Sequence, residues 1–312
     1  MAITRREAFK NIATGSILPV LAAGCVTVAS PEMAHASEHK EVSKDRLGLL
    51  YDATRCVGCK TCMVACNQAN NLKPDTRADG LHQAPPDLDN LTKNIIKLYK
   101  SADGKEHSYF KQQCMQCNDP ACVAACMFAG LTKDKVTGVI SWNGVKCVGC
   151  RYCEVSCPFH VPTFRWDGYN PEIVKCELCR HRLAVGQKPG CTSVCPTQAV
   201  IFGKTEDLLA DAKQRIKDSP EKYYKNTVFG EKDGGGTQCL VLSHVEFGKL
   251  GLPDLGEDSV PSRLKYQHML YKYLALPAIA YIAMAAIIRG NFGHLKHELV
   301  EEQKKTGLRA QL

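Results

Sequence analysis

A chain of 312 residues, 45% of them hydrophobic, has enough apolar material for a buried core and excludes a disordered polymer. Its formal net charge of +8 comes from basic residues scattered along the chain rather than gathered in a block, which argues against a nucleic-acid interface. Eighteen cysteines restrict the chemistry to a disulfide framework, zinc sites or iron–sulfur clusters.

The N-terminus reads Thr4-Arg5-Arg6-Glu7-Ala8-Phe9-Lys10, continues as a mostly apolar run from Ile12 to Ala29 and closes on Ala34-His35-Ala36. A paired arginine, an apolar run and a small-residue cleavage pattern come in the order of a twin-arginine export signal, predicted over residues 1–36. The usual pattern places Phe two residues after the second arginine; Ala8 stands there and Phe9 follows. Two alternatives stay open. One is a solvated helix start with a chance arginine pair. The other is a lipoprotein signal ending Leu21-Ala22-Ala23-Gly24-Cys25 with Cys25 lipidated, although Ala22 replaces the leucine usual three residues before such a cysteine.

Sixteen of the cysteines then fall into four groups of four. The first is Cys56-x2-Cys59-x2-Cys62-x3-Cys66, and the second is Cys114-x2-Cys117-x4-Cys122-x3-Cys126. The third is Cys147-x2-Cys150-x2-Cys153-x3-Cys157-Pro158, and the fourth is Cys176-x2-Cys179-x11-Cys191-x3-Cys195-Pro196. Groups one and three match the bacterial ferredoxin run. Three cysteines two residues apart wrap a tight loop around one cubane, and Gly58 and Gly149 ease that loop at the same place in each group. The fourth cysteine, at the start of a helical turn, aims away and ligates a neighbouring cluster, so groups work in pairs.

The rivals fit less well. Zinc wants two C-x2-C knuckles, to which a third cysteine two residues on is surplus. A disulfide scaffold, common in exported proteins, does not explain one cadence repeated four times. Haem attachment needs Cys-x-x-Cys-His, which no group has. With every ligand present, the expected complement is four [4Fe–4S] clusters and no [3Fe–4S] core. Ligated thiolates then add about −16 and oxidised cores return about +8, which brings the loaded chain near neutrality.

Asn67 and Met127 stand where a proline would follow groups one and two, which loosens those turns. Cys25 leaves with the signal, and Cys239 reads as a small buried hydrophobe. Arg55, Lys60, Lys111, Lys146, Arg151, Lys175 and Arg180 flank the groups. Either they favour the more negative reduced clusters and raise their potentials, or they are an ordinary solvated face.

Beyond the cysteines, Val200 to Gly203 is predicted as a strand and Thr205 as the cap of a helix to about Lys217, with Leu208, Leu209, Ala212 and Ile216 on one face. Residues 218–236 read as a loop ending in Gly234-Gly235-Gly236, without the strand–turn–helix context of a phosphate-binding loop. Gln238 to Ser243 is predicted as a strand. Met269 to Ile288 makes twenty residues, apolar but for Lys272 and with Tyr271 and Tyr273 for the interface, and is predicted as a transmembrane helix; a buried core helix is the alternative. Flanking basic residues barely orient it, so the export signal does, leaving the tail 289–312 in the cytoplasm and the bulk on the periplasmic side.

From Gly48 to Ser243 the chain resembles the four-cluster iron–sulfur subunits of membrane oxidoreductases, the family of formate dehydrogenase, dimethyl sulfoxide reductase, polysulfide reductase and hydrogenase-2 subunits. The stretches Leu50-Tyr51-Asp52-Ala53-Thr54-Arg55-Cys56-Val57-Gly58-Cys59 and Lys175-Cys176-Glu177-Leu178-Cys179 carry that resemblance. It implies an α+β fold, two interlocked bacterial ferredoxin-like domains in residues 37–243, followed by a linker at 244–268 and the helix at 269–288. It also implies that groups one and four share two clusters and groups two and three the others. The ligand sets would then be Cys56/Cys59/Cys62/Cys195, Cys176/Cys179/Cys191/Cys66, Cys114/Cys117/Cys122/Cys157 and Cys147/Cys150/Cys153/Cys126.

Within the family, a signal of its own, one C-terminal helix and the segment Phe229-Gly230-Glu231-Lys232-Asp233-Gly234-Gly235-Gly236-Thr237-Gln238 resemble the hydrogenase-2 branch. That implies electron transfer, without catalysis by this chain, between the large and small subunits of a periplasmic [NiFe]-hydrogenase and an integral membrane quinone-reactive subunit, with membrane lipid around the anchor. A formate dehydrogenase or other molybdopterin enzyme is the alternative partner. A self-contained redox enzyme is the alternative of another class, and it lacks any flavin, haem or nucleotide motif.

Overall fold

The computed structural model describes residues 43–73, 87–167, 171–263, 281–282 and 284–286. The chain divides into two compact units, Met1–Pro261 and Ser262–Leu312. The export signal predicted over 1–36 lies outside the described residues, as does most of the 269–288 segment, of which 281–282 and 284–286 are helical. Among the described residues no helix is long and apolar enough to cross a membrane.

The first unit is α+β. Its chain runs β1 (Leu47–Asp52), α1 (Thr61–Ala69), β2 (Asn94–Lys100), β3 (His107–Gln113), α2 (Ala121–Ala124), β4 (Leu131–Lys133) and β5 (Ile140–Trp142). It continues α3 (Tyr152–Ser156), β6 (Thr163–Arg165), β7 (Glu172–Val174), α4 (Arg180–Leu183), α5 (Gly190–Ser193), β8 (Val200–Lys204), α6 (Thr205–Asp218) and β9 (Cys239–Leu242). Strand β1 is the centre of a three-stranded sheet, antiparallel to β8 and parallel to β9. Three separate antiparallel hairpins, β2–β3, β4–β5 and β6–β7, complete the strands among the described residues.

Strand alternation sorts the central sheet into two faces. Leu50, Ile201, Leu240 and Leu242 pack under α6 against Leu208 and Ala212. Leu49, Tyr51, Val200, Phe202, Cys239 and Val241 point the other way, into the main core, where they meet most of the cysteines of groups one, two and four. The sheet therefore carries a structural helix on one side and the thiols on the other.

The strand at 200 and the helix after it are as predicted, with Leu208 and Ala212 buried and Leu209 and Ile216 packed beside them. Thr205 does not cap that helix. It is the first helical residue, and its amide and hydroxyl both donate to the Arg46 carbonyl, which ties the helix start to the strand entrance. Glu206 and Asp207 in the first turn suit the positive end of the helix dipole instead. The stretch expected as a linker from 244 is packed as far as Pro261: Val245, Leu250 and Leu252 join the main core. The polar composition around those apolar residues concealed them.

Candidate metal centre

The four cysteine groups are held by loops of two repeated shapes. In groups one and three, Gly58 and Gly149 take φ of 70° and 71°, and Lys60 and Arg151 follow at 58° and 62°, just before α1 and α3. In groups two and four, Gln116 and Leu178, each two residues after the first cysteine, take φ of 51° and 49°. The chain also turns left-handed three residues after the last cysteine in three groups, at Ala129, His160 and Gln198. Group one departs from this: without a proline at 67, α1 runs on to Ala69 and the left-handed turn waits until Asn71. Group two keeps the turn with Met127 in the proline's place.

These loops bring the thiols together across the sequence. Cys62 has Cys56, Cys59 and Cys195 as thiol neighbours, and Cys56 has Cys195 and Cys59. Cys66 faces Cys176, Cys191 and Cys179. Cys117 faces Cys114, Cys122 and Cys157. Cys153 faces Cys126, Cys150 and Cys147. The sets also stand in a row, because Cys191 neighbours Cys62, Cys114 neighbours Cys176, and Cys122 neighbours Cys153. Cys59 at one end and Cys150 at the other are exposed, whereas Cys66, Cys114, Cys122, Cys176, Cys179 and Cys191 between them are buried.

Burial dominates the chemistry of these sulfurs. It pushes the thiols of Cys62 and Cys114 up to about 11 and those of Cys153 and Cys191 up to about 12, with neighbouring thiols adding to the rise. Metal binding would have to displace those protons. Hydrogen-bond donors surround many sulfurs of the four groups. The Gly130 amide donates to Cys126 Sγ at 3.1 Å, and the Thr61 hydroxyl donates to Cys59 Sγ at 3.3 Å. Asn70 Nδ2 lies 3.6 Å from Cys66 Sγ and 3.9 Å from Cys179 Sγ. Backbone amides of Gly58, Gln116 and Leu178 serve Cys56, Cys114 and Cys176, and those of Val161, Phe159 and His160 serve Cys157.

Donors aimed at sulfur stabilise thiolate rather than thiol, so the donor set fits anionic metal–sulfur groups. A small pocket is lined by all four thiols of the second set, Cys66, Cys176, Cys179 and Cys191. Among the described residues no three ligating side chains converge closely enough to hold a single metal ion. A cubane makes no such demand, since each of its four cysteines bonds a different iron. The seventeen cysteines described are all free thiols. The larger cleft of this unit, beside Lys213, Phe229, Glu231 and Phe247, has no cysteine in its lining.

The flanking basic residues divide sharply. Arg55, Lys146, Arg151 and Arg180 are exposed and Lys60 is half-buried, but Lys111 and Lys175 are 2% and 1% exposed. Spacing alone could not separate them, because the separation depends on which flank faces the neighbouring group. Cys239 is also more than a filler. It is buried on the thiol face of β9, and its Sγ donates to the Cys114 carbonyl at 3.4 Å, beside Cys176 and Cys191.

Comparison with known proteins bears on the whole chain. A family profile described as "4Fe-4S dicluster domain" matches residues 105–205. The chain is 35% identical to "Hydrogenase-2 operon protein HybA" of Escherichia coli O157:H7, over 95% of this chain and 98% of that protein. It is 33% identical to "Formate dehydrogenase iron-sulfur subunit" of Haemophilus influenzae, over 78% of both chains. It is 31% identical to "Formate dehydrogenase, nitrate-inducible, iron-sulfur subunit" of Escherichia coli K12, over 81% of this chain and 82% of that one.

Proposed function

Because this chain belongs to the family of ferredoxin-type iron–sulfur subunits that includes HybA, we propose that it relays electrons through four [4Fe–4S] clusters between a periplasmic [NiFe]-hydrogenase and a quinone-reactive membrane subunit. The chain is an iron–sulfur electron-transfer subunit rather than the catalytic component of its complex. The ligand sets are Cys56/Cys59/Cys62/Cys195, Cys66/Cys176/Cys179/Cys191, Cys114/Cys117/Cys122/Cys157 and Cys126/Cys147/Cys150/Cys153. The observation that carries this reading is the row of thiol neighbours, which runs from one exposed cysteine through a buried interior to another. Clusters carry the electrons; the chain supplies ligation, spacing and electrostatics.

The hydrogenase partner is favoured by near-complete coverage of both chains in the HybA match. A formate dehydrogenase partner is the second reading, supported by matches at 31% and 33% identity. Anaerobically purified protein should hold about sixteen irons, four per cubane, and co-purify with nickel rather than molybdopterin. A count near four would sink the cluster assignment, and molybdopterin in place of nickel would move the chain to the second reading.

We further propose export by the twin-arginine route and anchoring through residues 269–288 at the periplasmic face. Tyr281, Ile282 and Met284 stand exposed on helical backbone there, as a lipid-facing segment requires. In cells lacking the partner subunits, truncation before Tyr266 should release cluster-bearing protein from washed membranes. Retention would instead favour a lipid on Cys25, and adding Cys25→Ala to the truncation would test that anchor.

A further inference from the structure

Lys111 and Lys175 are long charged side chains enclosed by protein, a placement that costs several kcal/mol per charge unless a partner of opposite sign is supplied. Among the described residues neither is paired with a carboxylate. The Lys111 ammonium donates to Gln113 Oε1, and Lys175 donates to the carbonyls of Ile140 and Cys176. These are neutral acceptors, so among the described residues both positive charges lack a compensating carboxylate.

What surrounds them is sulfur. Lys111 faces Cys62 of the first thiol set and Cys66, Cys176 and Cys191 of the second, so it stands between the two. Lys175 acts on Cys114, Cys122 and Cys157 of the third set and on Cys176 of the second. A hydrogen-bonded chain links these surroundings: Gln113 holds Lys111, its amide reaches Cys239 Sγ at 3.7 Å, and Cys239 donates to the carbonyl of Cys114. Among the described residues the last set has no such buried charge. Its basic neighbours Lys146 and Arg151 are exposed, and Arg151 lies over the rings of Phe164 and Trp166 at 5.7 and 5.8 Å.

We propose that Lys111 and Lys175 are fixed counter-charges built into the row of clusters, Lys111 shared by the first and second and Lys175 by the second and third, holding these three at higher reduction potential than the fourth. This rests on the ligand sets proposed above. With four thiolates, a cubane site carries about −2 when oxidised and about −3 when one electron is added, with no bond made or broken. A buried positive charge therefore favours the added electron, and weak screening in the interior makes it count for more than the exposed lysines do.

The test is a potentiometric titration of the anaerobically purified full chain, read by electron paramagnetic resonance, with signals assigned through cysteine variants. Lys111→Met should shift the one-electron equilibria of the first and second clusters at least tenfold toward the oxidised form, or about 59 mV. Lys175→Met should do the same to the second and third. Lys111→Arg should retain the wild-type values, and Lys146→Met should move none of them. Unchanged potentials at full iron content would overturn the proposal. If Lys111→Met loses iron from the first two sites while Lys111→Arg keeps it, charge is required there and the proposal stands; if both lose it, the lysine is a shape requirement and the proposal fails. Wild-type protein without four cubanes would refute the ligand assignment itself, an outcome distinct from all of these.

Discussion

The two ends of the thiol row share a loop and differ in what supports it. Around Cys56, Cys62 and Cys195 the protein is thick: they pack against a core that includes Leu49, Tyr51, Ile95, Phe110 and Val200 on the central sheet and the long β2–β3 hairpin. Around Cys126, Cys147 and Cys153 it is thin. Their core is Leu131, Ile140 and Ile173, carried on two hairpins whose strands have three residues each. Val145 is 97% and Val155 82% exposed beside them. Strands that short bury little and do not stand alone. The first end is thus organised by the polypeptide, while at the last end bound metal has to supply more of the order, as in small domains that fold around their metal.

The sharpest way to break this contrast is to remove one ligand at each end. Cys195→Ser and Cys56→Ser should abolish the same cluster signal although the residues are far apart in sequence, because both thiols neighbour Cys62. Apart from that loss, the surrounding fold should persist. Cys150→Ser should abolish a different signal and also loosen the β4–β5 and β6–β7 hairpins. Cluster-resolved paramagnetic resonance reads the first effect, and hydrogen exchange at Ile140 and Ile173 reads the second. Loss of different signals from Cys195→Ser and Cys56→Ser would refute the crossing of groups one and four. Equal loosening at both ends would refute the difference in support.

Much of the site was legible because spacing and chemistry coincide. The cadence of the four groups marks the sixteen candidate ligands, and the shared left-handed positions at Gly58 and Gly149 give the reason for those glycines. The β2–β3 hairpin was not legible. Asn94 to Lys100 and His107 to Gln113 mix apolar and polar side chains, and the polar Lys111 and Gln113 within them are buried. Periodicity reads apolar burial and is blind to a lysine enclosed among thiols. The core residues Val245, Leu250 and Leu252 escaped for a related reason: they are isolated apolar residues in a polar stretch, and their burial is decided by the rest of the fold.

A smaller perturbation sharpens the contrast without touching a ligand. Gly58 and Gly149 occupy the same loop position with φ of 70° and 71°, so alanine at either carries the same left-handed strain, about 1–2 kcal/mol. What the new methyl group meets differs. At Gly58 it runs into the ring of Tyr109, a buried side chain on β3 whose own carbonyl accepts the Tyr51 hydroxyl at 2.7 Å. That ring has nowhere to go, so overpacking should add about 1–3 kcal/mol. At Gly149 the contacts are the Trp166 ring and Pro171, both at 2.7 Å. Trp166 is about half exposed and can yield outward, while Pro171, just before β7, is buried. Gly58→Ala should therefore lower the unfolding temperature of the iron-loaded chain more than Gly149→Ala, with iron content confirmed unchanged in both. The reverse order would mean that the outlying hairpins are held more stiffly than their short strands and exposed valines imply, and that the two ends of the row are supported alike.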